Sequence, residues 1–493
     1  SDVFSPEDRA EIEQNFLGAI VREIQRYEIF VGRKNNHQTW FNAAYANVGV
    51  AIGDAQLVND SIYGTGGLIW QLNNSVTDDG IWYEGTMSYH FYALRAIIEN
   101  LKAVKRVGLD FSGNERLKSF WSGPLSMTFP DGSIPAIHDG DPFVLTGMKD
   151  EYLFAGEYFK DPAFAKIADE KSRDRSLPSQ VLTDIGIGIL RQGQGADAKC
   201  AMIDYGIHGD HHGHPDKLNL ILYALGKEIF PDTGRISYSV PEYESWARTT
   251  AAHNTVAVNG KNQEPDTGKL LYFVSKPSYS ACLAKSDSAY PGYVMSRFLL
   301  LADNFLIDVF SVQGSAKASL DCFLHVRGDL KFPESAEPRK ITSLGDKNGY
   351  QHLKEIQSFQ QSGNYVFDFV QKDGRFIRIH LPNEKESHIF TGIGIGGQLN
   401  EKVPFILRRR EIRDTFFVSC YDLSGTGRAI SGIKLLPVVD GNRQNLAENE
   451  AVGLKIKLSD SSLLLAFDLK EKPSPGLSFQ NHKFERLLFL EQP

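Results

Sequence analysis

The sequence predicts a multidomain α+β protein: a helical domain over residues 1–180, an antiparallel β-sandwich over 181–410, and a smaller C-terminal β-sheet unit over 411–493. Three observations carry that prediction. At 493 residues the chain exceeds the size at which one hydrophobic core stops growing. Its apolar residues recur at helical spacing up to about Ala168 and in short strand-like runs beyond it. With 42% hydrophobic and 23% charged residues, it has the composition of an ordinary globular protein with ample core material.

In the first part, Met87, Phe91, Leu94, Ile98 and Leu101 follow steps of four and three, the stripe of an amphipathic helix. Gly64-Thr65-Gly66-Gly67 and Phe129-Pro130-Asp131-Gly132 interrupt the pattern as loops. The charged run Asp169 to Arg175, followed by Pro178, reads as a linker. Beyond it, Leu218 to Leu225, Asn254 to Val258 and Phe305 to Phe310 are rich in β-branched and aromatic residues and read as strands. Turn residues at Gly226-Lys227, Asn259-Gly260, Lys372-Asp373-Gly374 and Asp440-Gly441 separate such runs. No long helical periodicity returns, which favours antiparallel sheets.

A formal charge of −8 argues against nucleic acid as partner, since phosphate binding draws on a basic surplus. No apolar run approaches the roughly 20 residues that span a bilayer, so membrane insertion is not expected. Cys200, Cys282, Cys322 and Cys420 are widely spaced and suggest neither a zinc knuckle nor a disulfide framework. The start Ser1-Asp2-Val3-Phe4 has no initiator Met and no signal peptide, which leaves the compartment open.

The segment His208-Gly209-Asp210-His211-His212-Gly213-His214-Pro215-Asp216 places four of thirteen histidines within seven residues. Imidazole titrates near neutrality and is the commonest metal ligand, so this is the first place to look for proton transfer or metal binding. Taken with Asp232 and His253, the cluster offers two imidazoles and one carboxylate, a set that suits zinc. Hydrogen-bonded histidines at strand ends are the alternative. In Lys34-Asn35-Asn36-His37-Gln38-Thr39-Trp40 an amide and an imidazole adjoin at a helix start. They read either as an N-cap with a surface histidine or as a carboxylate-binding amide beside a base. Tyr89 falls on a helical wheel with Ala93, Ala96 and Asn100, opposite Met87, Leu94 and Leu101. It therefore reads as pointing away from the local core, either toward a ligand or into a contact between helices.

Together these segments resemble the heparinase II/III-like polysaccharide lyases, which include exolytic alginate lyases and heparan-sulfate lyases. The most specific piece is His212-Gly213-His214-Pro215-Asp216 through Leu225, then Pro231-Asp232-Thr233-Gly234, then Ala252-His253-Asn254-Thr255-Val256. Asn35-Asn36-His37 before Thr39-Trp40 looks most like the alginate-lyase branch, and Tyr83-Glu84-Gly85 to Tyr89-His90 looks like the helix bearing that family's catalytic tyrosine.

The resemblance implies an α/α toroid packed on antiparallel β-sandwich domains with the cleft between them, acting on an anionic uronate polysaccharide or oligosaccharide by β-elimination. The helical part here is only about 170 residues, shorter than the toroids usual in that family, which leaves open whether upstream helices are absent from this chain or the toroid is incomplete. In that reaction the C5 proton of a uronate is removed, the bond from C4 to the glycosidic oxygen breaks, and a 4,5-unsaturated sugar results. The carboxylate beside C5 must be neutralised by donors as the enolate forms, the role the resemblance gives Asn36 and His37. It makes His212 a base or carboxylate partner and Tyr89 the group that protonates the leaving oxygen, for which a phenol of ordinary pKa about 10 is a competent acid. His214, Asp232 and His253 would hold a structural Zn²⁺. Tyr238, with Tyr243 as competitor, and Arg248, Glu84 and His90 would contact substrate. Alginate is the preferred substrate and glycosaminoglycan (heparan sulfate, hyaluronan or chondroitin) the runner-up, in a periplasmic or secreted enzyme. Metal-assisted hydrolysis and a non-catalytic carbohydrate-binding protein are the competing readings.

Overall fold

Side chains that accept hydrogen bonds start the N-terminal helices: Asn35 accepts from the Gln38 N–H, Asp54 from Gln56 and Leu57, and Asn114 from Leu117. The computed structural model describes residues 3–27, 32–167, 169, 177–208, 212–332, 337–360, 363–384, 386–447, 450–459 and 461–492. His211, and the linker read at 169–175 apart from Asp169, lie outside the described residues. The chain divides into two units, one of residues 1–128, 132–134 and 143–173, the other of 129–131, 135–142 and 174–493.

The first unit is helical, its longest members being Asn36–Ile52 and Met87–Lys105. These two run parallel in a fixed register: Trp40 meets Tyr92 at 5.4 Å between ring centres, and the Asn47 amide donates to the Glu99 carbonyl, 52 residues on in both cases. The same register brings Asn36 and His37 to the end of the pair that carries Ser88 and Tyr89. Asn100 donates to the Ser61 carbonyl of the neighbouring Ala55–Tyr63 helix. The face beneath Tyr89 is therefore a contact between helices, one of the two readings left open by the wheel. Ala93 and Ala96 are wholly buried and Asn100 nearly so, because small side chains let the neighbouring helices close on that face. A helix enclosed on several sides does not keep a single apolar stripe.

The second unit is built from antiparallel sheets. A five-stranded sheet holds Gln180–Leu182, Ile187–Gln192, Lys199–Asp204, Asn219–Ala224 and Lys227–Phe230 in chain order. An eight-stranded sheet is centred on Tyr279–Tyr290, Tyr293–Ala302, Phe305–Gly314 and Thr415–Asp422, and a six-stranded sheet on Ala318–His325, Lys402–Ile412 and His388–Ile395. Alternation assigns the faces. Leu299 and Leu301 join a core shared with Leu220 and Leu222 of the five-stranded sheet and with Leu320 and Ile406 of the six-stranded one. Phe298 and Leu300 point the other way, into a core with Leu454, Ile456 and Phe467. Buried on both faces, the strand Tyr293–Ala302 reads as an almost unbroken apolar run.

The last sheet comprises Ile430–Leu436, Ala451–Leu458, Ser462–Asp468 and Leu487–Gln492. The division expected at 410/411 falls inside the strand Lys402–Ile412, and Thr415–Asp422 belongs to the eight-stranded sheet, so the C-terminal sheet begins at Ile430. The basic run Arg408-Arg409-Arg410 is strand rather than boundary. Arg408 is buried, pairing with Glu384 at 2.9 Å and donating to Ser419, and Arg409 forks onto Asp321. The four cysteines are buried thiols without disulfide partners.

Candidate active site and metal centre

The histidine-rich turn is compact because Gly213 sits where no side chain fits: a Cβ there would stand 1.1 Å from the His208 carbonyl oxygen. His212 and His214 consequently flank a close backbone crossing, His212 partly exposed and His214 fully buried. Both reach Asp139. Its Oδ1 lies 3.0 Å from His214 Nε2, and its Oδ2 lies 2.8 Å from His212 Nδ1. Tyr238 and Tyr243 donate their hydroxyls to the same Oδ2 at 3.0 and 2.9 Å. Burial alone would raise the Asp139 carboxyl, but the imidazole bonds and the Tyr243 hydroxyl hold it well below the usual carboxylate range. Asp139 is an ionised hub to which four donors converge.

That carboxylate fixes tautomers. A carboxylate only accepts, so His214 Nε2 and His212 Nδ1 both donate to Asp139. His253 is oriented in the same manner, its Nδ1 donating to the Thr249 carbonyl at 2.9 Å. Its Nε2 then faces His214 Nδ1 at 3.4 Å and Asp232 Oδ1 at 3.6 Å. These three atoms converge on one point, a donor set that could hold a metal ion. Tetrahedral zinc with bonds of about 2.0–2.1 Å has ligand-to-ligand edges of roughly 3.3–3.4 Å, close to these separations. Burial would depress His253, yet Asp232 and then Asp216 raise it to about 9. Asp139, Thr249 and Asn219 hold the outer polar atoms of His214, His253 and Asp232, and the Gly234 N–H donates to Asp232 Oδ1 itself, outer contacts of the kind that orient metal-binding side chains.

A buried ion cluster lies alongside. Lys217 reaches Asp216 at 3.3 Å and Asp204 at 3.7 Å, and His138 Nε2 lies 2.9 Å from the other oxygen of Asp204. Burial opposes charge on His138, but Asp216 and Asp204 raise its pKa, so two carboxylates are matched by an ammonium and an imidazolium. The cluster pins the segment carrying Asp139 to the chain just beyond His214. Arg235 adds a fork onto Asp141 at 2.9 and 2.5 Å and lies over the Tyr238 ring at 4.8 Å. Arg248 pairs with Glu244 and lies over the Tyr243 ring at 5.7 Å.

In the helical unit, Asn35 supplies the cap, which frees the buried Asn36 amide and leaves His37 exposed at the helix start. The preceding segment is held by Gly66, where a Cβ would meet the Gly32 Cα at 2.8 Å, and by Gln71, whose amide donates to the Arg33 carbonyl. The Lys34 ammonium sits 4.1 Å above the Tyr83 ring, so it is not simply solvated. Tyr89 is partly exposed in the first turn of Met87–Lys105.

Two expected substrate contacts are structural instead. His90 is fully buried; its Nδ1 accepts from the Trp82 N–H at 3.1 Å and its Nε2 donates to the Phe120 carbonyl at 2.9 Å. Burial pushes its pKa down to about 3, so the ring stays neutral. Glu84 is buried too, and its carboxylate accepts from the Trp82 indole at 2.8 Å and the Tyr83 hydroxyl at 3.3 Å. Both shape the loop that launches the tyrosine helix. Of the remaining site residues, His212, Tyr238, His214, Asp232 and His253 converge in the sheet unit with Arg248 beside Tyr243, while Asn36, His37 and Tyr89 share one end of a helix pair in the helical unit. Asp139 is the participant that sequence reasoning missed; the polar run His138-Asp139-Gly140-Asp141 was its only signal.

Residues 174–385 match the family described as heparinase II/III-like, C-terminal, and residues 1–118 match the alginate lyase family. An exo-oligoalginate lyase of Saccharophagus degradans is 25% identical, over 90% of this chain and 71% of that protein. An alginate lyase of Stenotrophomonas maltophilia is 26% identical over 71% and 56% respectively, and a heparin-sulfate lyase of Bacteroides stercoris 25% over 51% and 39%. The solved heparan sulfate lyase of Pedobacter heparinus superposes with a TM-score of 0.72 at 17% identity, covering 94% of this chain and 71% of that one, and so shares its fold. By these matches the chain is a relative of the heparinase II/III-like polysaccharide lyases.

Proposed function

We propose that the protein cleaves uronate-containing polysaccharide or oligosaccharide by β-elimination, with alginate as preferred substrate. The observation that carries this reading is the setting of His212: partly exposed, its Nδ1 lies 2.8 Å from the buried Asp139 carboxylate, to which the Tyr238 hydroxyl also donates. Asn36 and His37 neutralise the uronate carboxylate, so that negative charge moving onto it in the enolate meets donors already in place. His212 takes the C5 proton on one sugar epimer. Tyr89 protonates the glycosidic oxygen as it leaves C4, and on the opposite epimer it removes the C5 proton as well. Tyr238 and Arg248 border the sugar site. The helical unit is, on this reading, part of an α/α toroid, which the parallel pairing of Asn36–Ile52 with Met87–Lys105 supports. The enzyme works in the periplasm or outside the cell; among the described residues no helix is long and apolar enough to cross a membrane.

The decisive assay is ultraviolet absorbance of the conjugated uronate end, with products weighed by mass spectrometry. Alginate oligosaccharides are expected to give unsaturated products. Turnover of heparan sulfate in preference to alginate would favour the glycosaminoglycan reading that the heparin-sulfate lyase relatives support. Saturated products carrying an added water would overturn elimination, and silence on alginate, heparan sulfate, hyaluronan and chondroitin would overturn the lyase reading as a whole.

His214, Asp232 and His253 are proposed to hold zinc, which when bound supplies a fixed divalent charge that braces the segment bearing His212. Metal analysis is expected to find close to one zinc per chain. Chelation is expected to lower the melting temperature markedly while the enzyme that stays folded retains most of its turnover. Immediate loss of turnover at unchanged folding would instead favour metal-assisted hydrolysis.

A further inference from the structure

We propose that Asp139 is a positioning residue that sets the tautomer of His212 and couples it to the metal-binding histidine, an inference resting on the elimination reading for its catalytic consequence alone. One carboxylate serves two imidazoles and two phenols, with Oδ1 on His214 Nε2 and Oδ2 on His212 Nδ1, Tyr238 and Tyr243, at 2.8 to 3.0 Å. All four partners present hydrogens. Only an ionised acceptor with free lone pairs on both oxygens can satisfy them together.

The carboxylate is itself held. His138, its chain neighbour, is locked into the cluster with Asp204, Asp216 and Lys217, and the Asp139 N–H donates to the His212 carbonyl at 3.2 Å. Two residues on, Asp141 forks with Arg235 beneath Tyr238. The short segment 135–142 therefore positions several groups of the site while offering no group of its own to a substrate: Asp139 is fully buried.

An amide at this position makes a sharp prediction. In Asp139→Asn one side-chain atom can only accept and the other can only donate. His214 has its Nδ1 committed to the cation site, so it keeps its Nε2 proton and claims the amide oxygen. The amide NH₂ then faces His212 Nδ1, and the neutral ring can meet it only by moving its proton to Nε2. That relocates the proton onto the very atom proposed to accept one from the substrate, the wrong-tautomer failure known from serine proteases, where an equivalent substitution costs about 10⁴-fold in kcat.

The test uses ¹⁵N-histidine-labelled full-length protein with zinc bound, the His212 ring signals being identified by their loss in His212→Gln. In the unsubstituted protein the neutral ring is expected to show a protonated Nδ1 and a bare Nε2; in Asp139→Asn the two are expected to exchange. On alginate oligosaccharides, kcat of Asp139→Asn is expected to fall by roughly 10³-fold with KM changed less than about threefold. A bare Nδ1 on His212 in the unsubstituted protein would overturn the proposal without any variant having to fold. So would an unchanged tautomer, or unchanged kcat, in a folded Asp139→Asn. Because the tautomer is read without substrate, an absence of elimination activity in the unsubstituted protein would sink the lyase reading while an exchanged tautomer still upheld the role of Asp139.

Discussion

Tyr89→Phe is expected to lower kcat for elimination by about 10³-fold while leaving the fold and substrate binding nearly unchanged. The elimination needs an acid at the glycosidic oxygen, since an alkoxide leaving from C4 without a proton is a poor leaving group. Tyr89 stands in the first turn of the Met87–Lys105 helix, partly exposed, where the parallel register with Asn36–Ile52 also brings Asn36 and His37. The groups proposed to neutralise the carboxylate and the proposed proton donor thus share one end of one helix pair. Removing a single oxygen keeps the ring and its packing, so the loss should fall on kcat with KM within about threefold, and melting temperature should shift little. Initial rates followed by ultraviolet absorbance, with binding measured calorimetrically, check this. Turnover equal to that of the unsubstituted protein would remove Tyr89 from the chemistry.

Much of this architecture could be read from residue order alone. The change from helical to strand periodicity near Ala168 holds, because the two periods place apolar side chains on different geometric faces. The turn at Asn259-Gly260 is legible because both residues adopt positive φ, 53° and 63°, which few other pairs tolerate. The His214, Asp232 and His253 set was legible from the types and order of its residues. Their convergence required the hairpin whose strands are Asn219–Ala224 and Lys227–Phe230. Asp139 was not legible. It acts on His212 across 73 residues from a segment without periodicity, and no local spacing reports such a contact. His90 was misread for a geometric reason: adjacent helical residues differ by about 100°, so a partly exposed Tyr89 leaves its neighbour free to be buried. The boundary near 410 falls inside the strand Lys402–Ile412, which pairs with Ala318–His325 far earlier in the chain, a contact that no local spacing reports.

Arg297→Ala is expected to cost about 3–5 kcal/mol of stability, the largest effect foreseen for a residue outside the site. Arg297 is fully buried at the centre of the eight-stranded sheet, forked onto Asp308 at 2.8 and 2.7 Å, with the Tyr421 hydroxyl on the same carboxylate at 3.0 Å. Its remaining nitrogen donates to the Leu218 carbonyl at 2.7 Å and to the Asn254 carbonyl. Asn254 follows His253, and Leu218 lies four residues beyond His214, so this one guanidinium also ties down both histidine-bearing segments of the metal centre. Truncation strands the Asp308 charge and the Leu218 carbonyl in a dry interior, while the Asn254 carbonyl keeps the Leu220 N–H, and the penalty arises from those orphaned groups more than from the lost attraction. Replacing Arg297 and Asp308 together by leucine should therefore be less damaging than Arg297→Ala alone, a non-additivity that urea unfolding midpoints of the two variants can measure. Zinc affinity should fall in Arg297→Ala as well, since the ligand segments lose their common anchor. A loss below about 1 kcal/mol, within the range of an exposed ion pair, would show that the guanidinium is not the keystone of this interior.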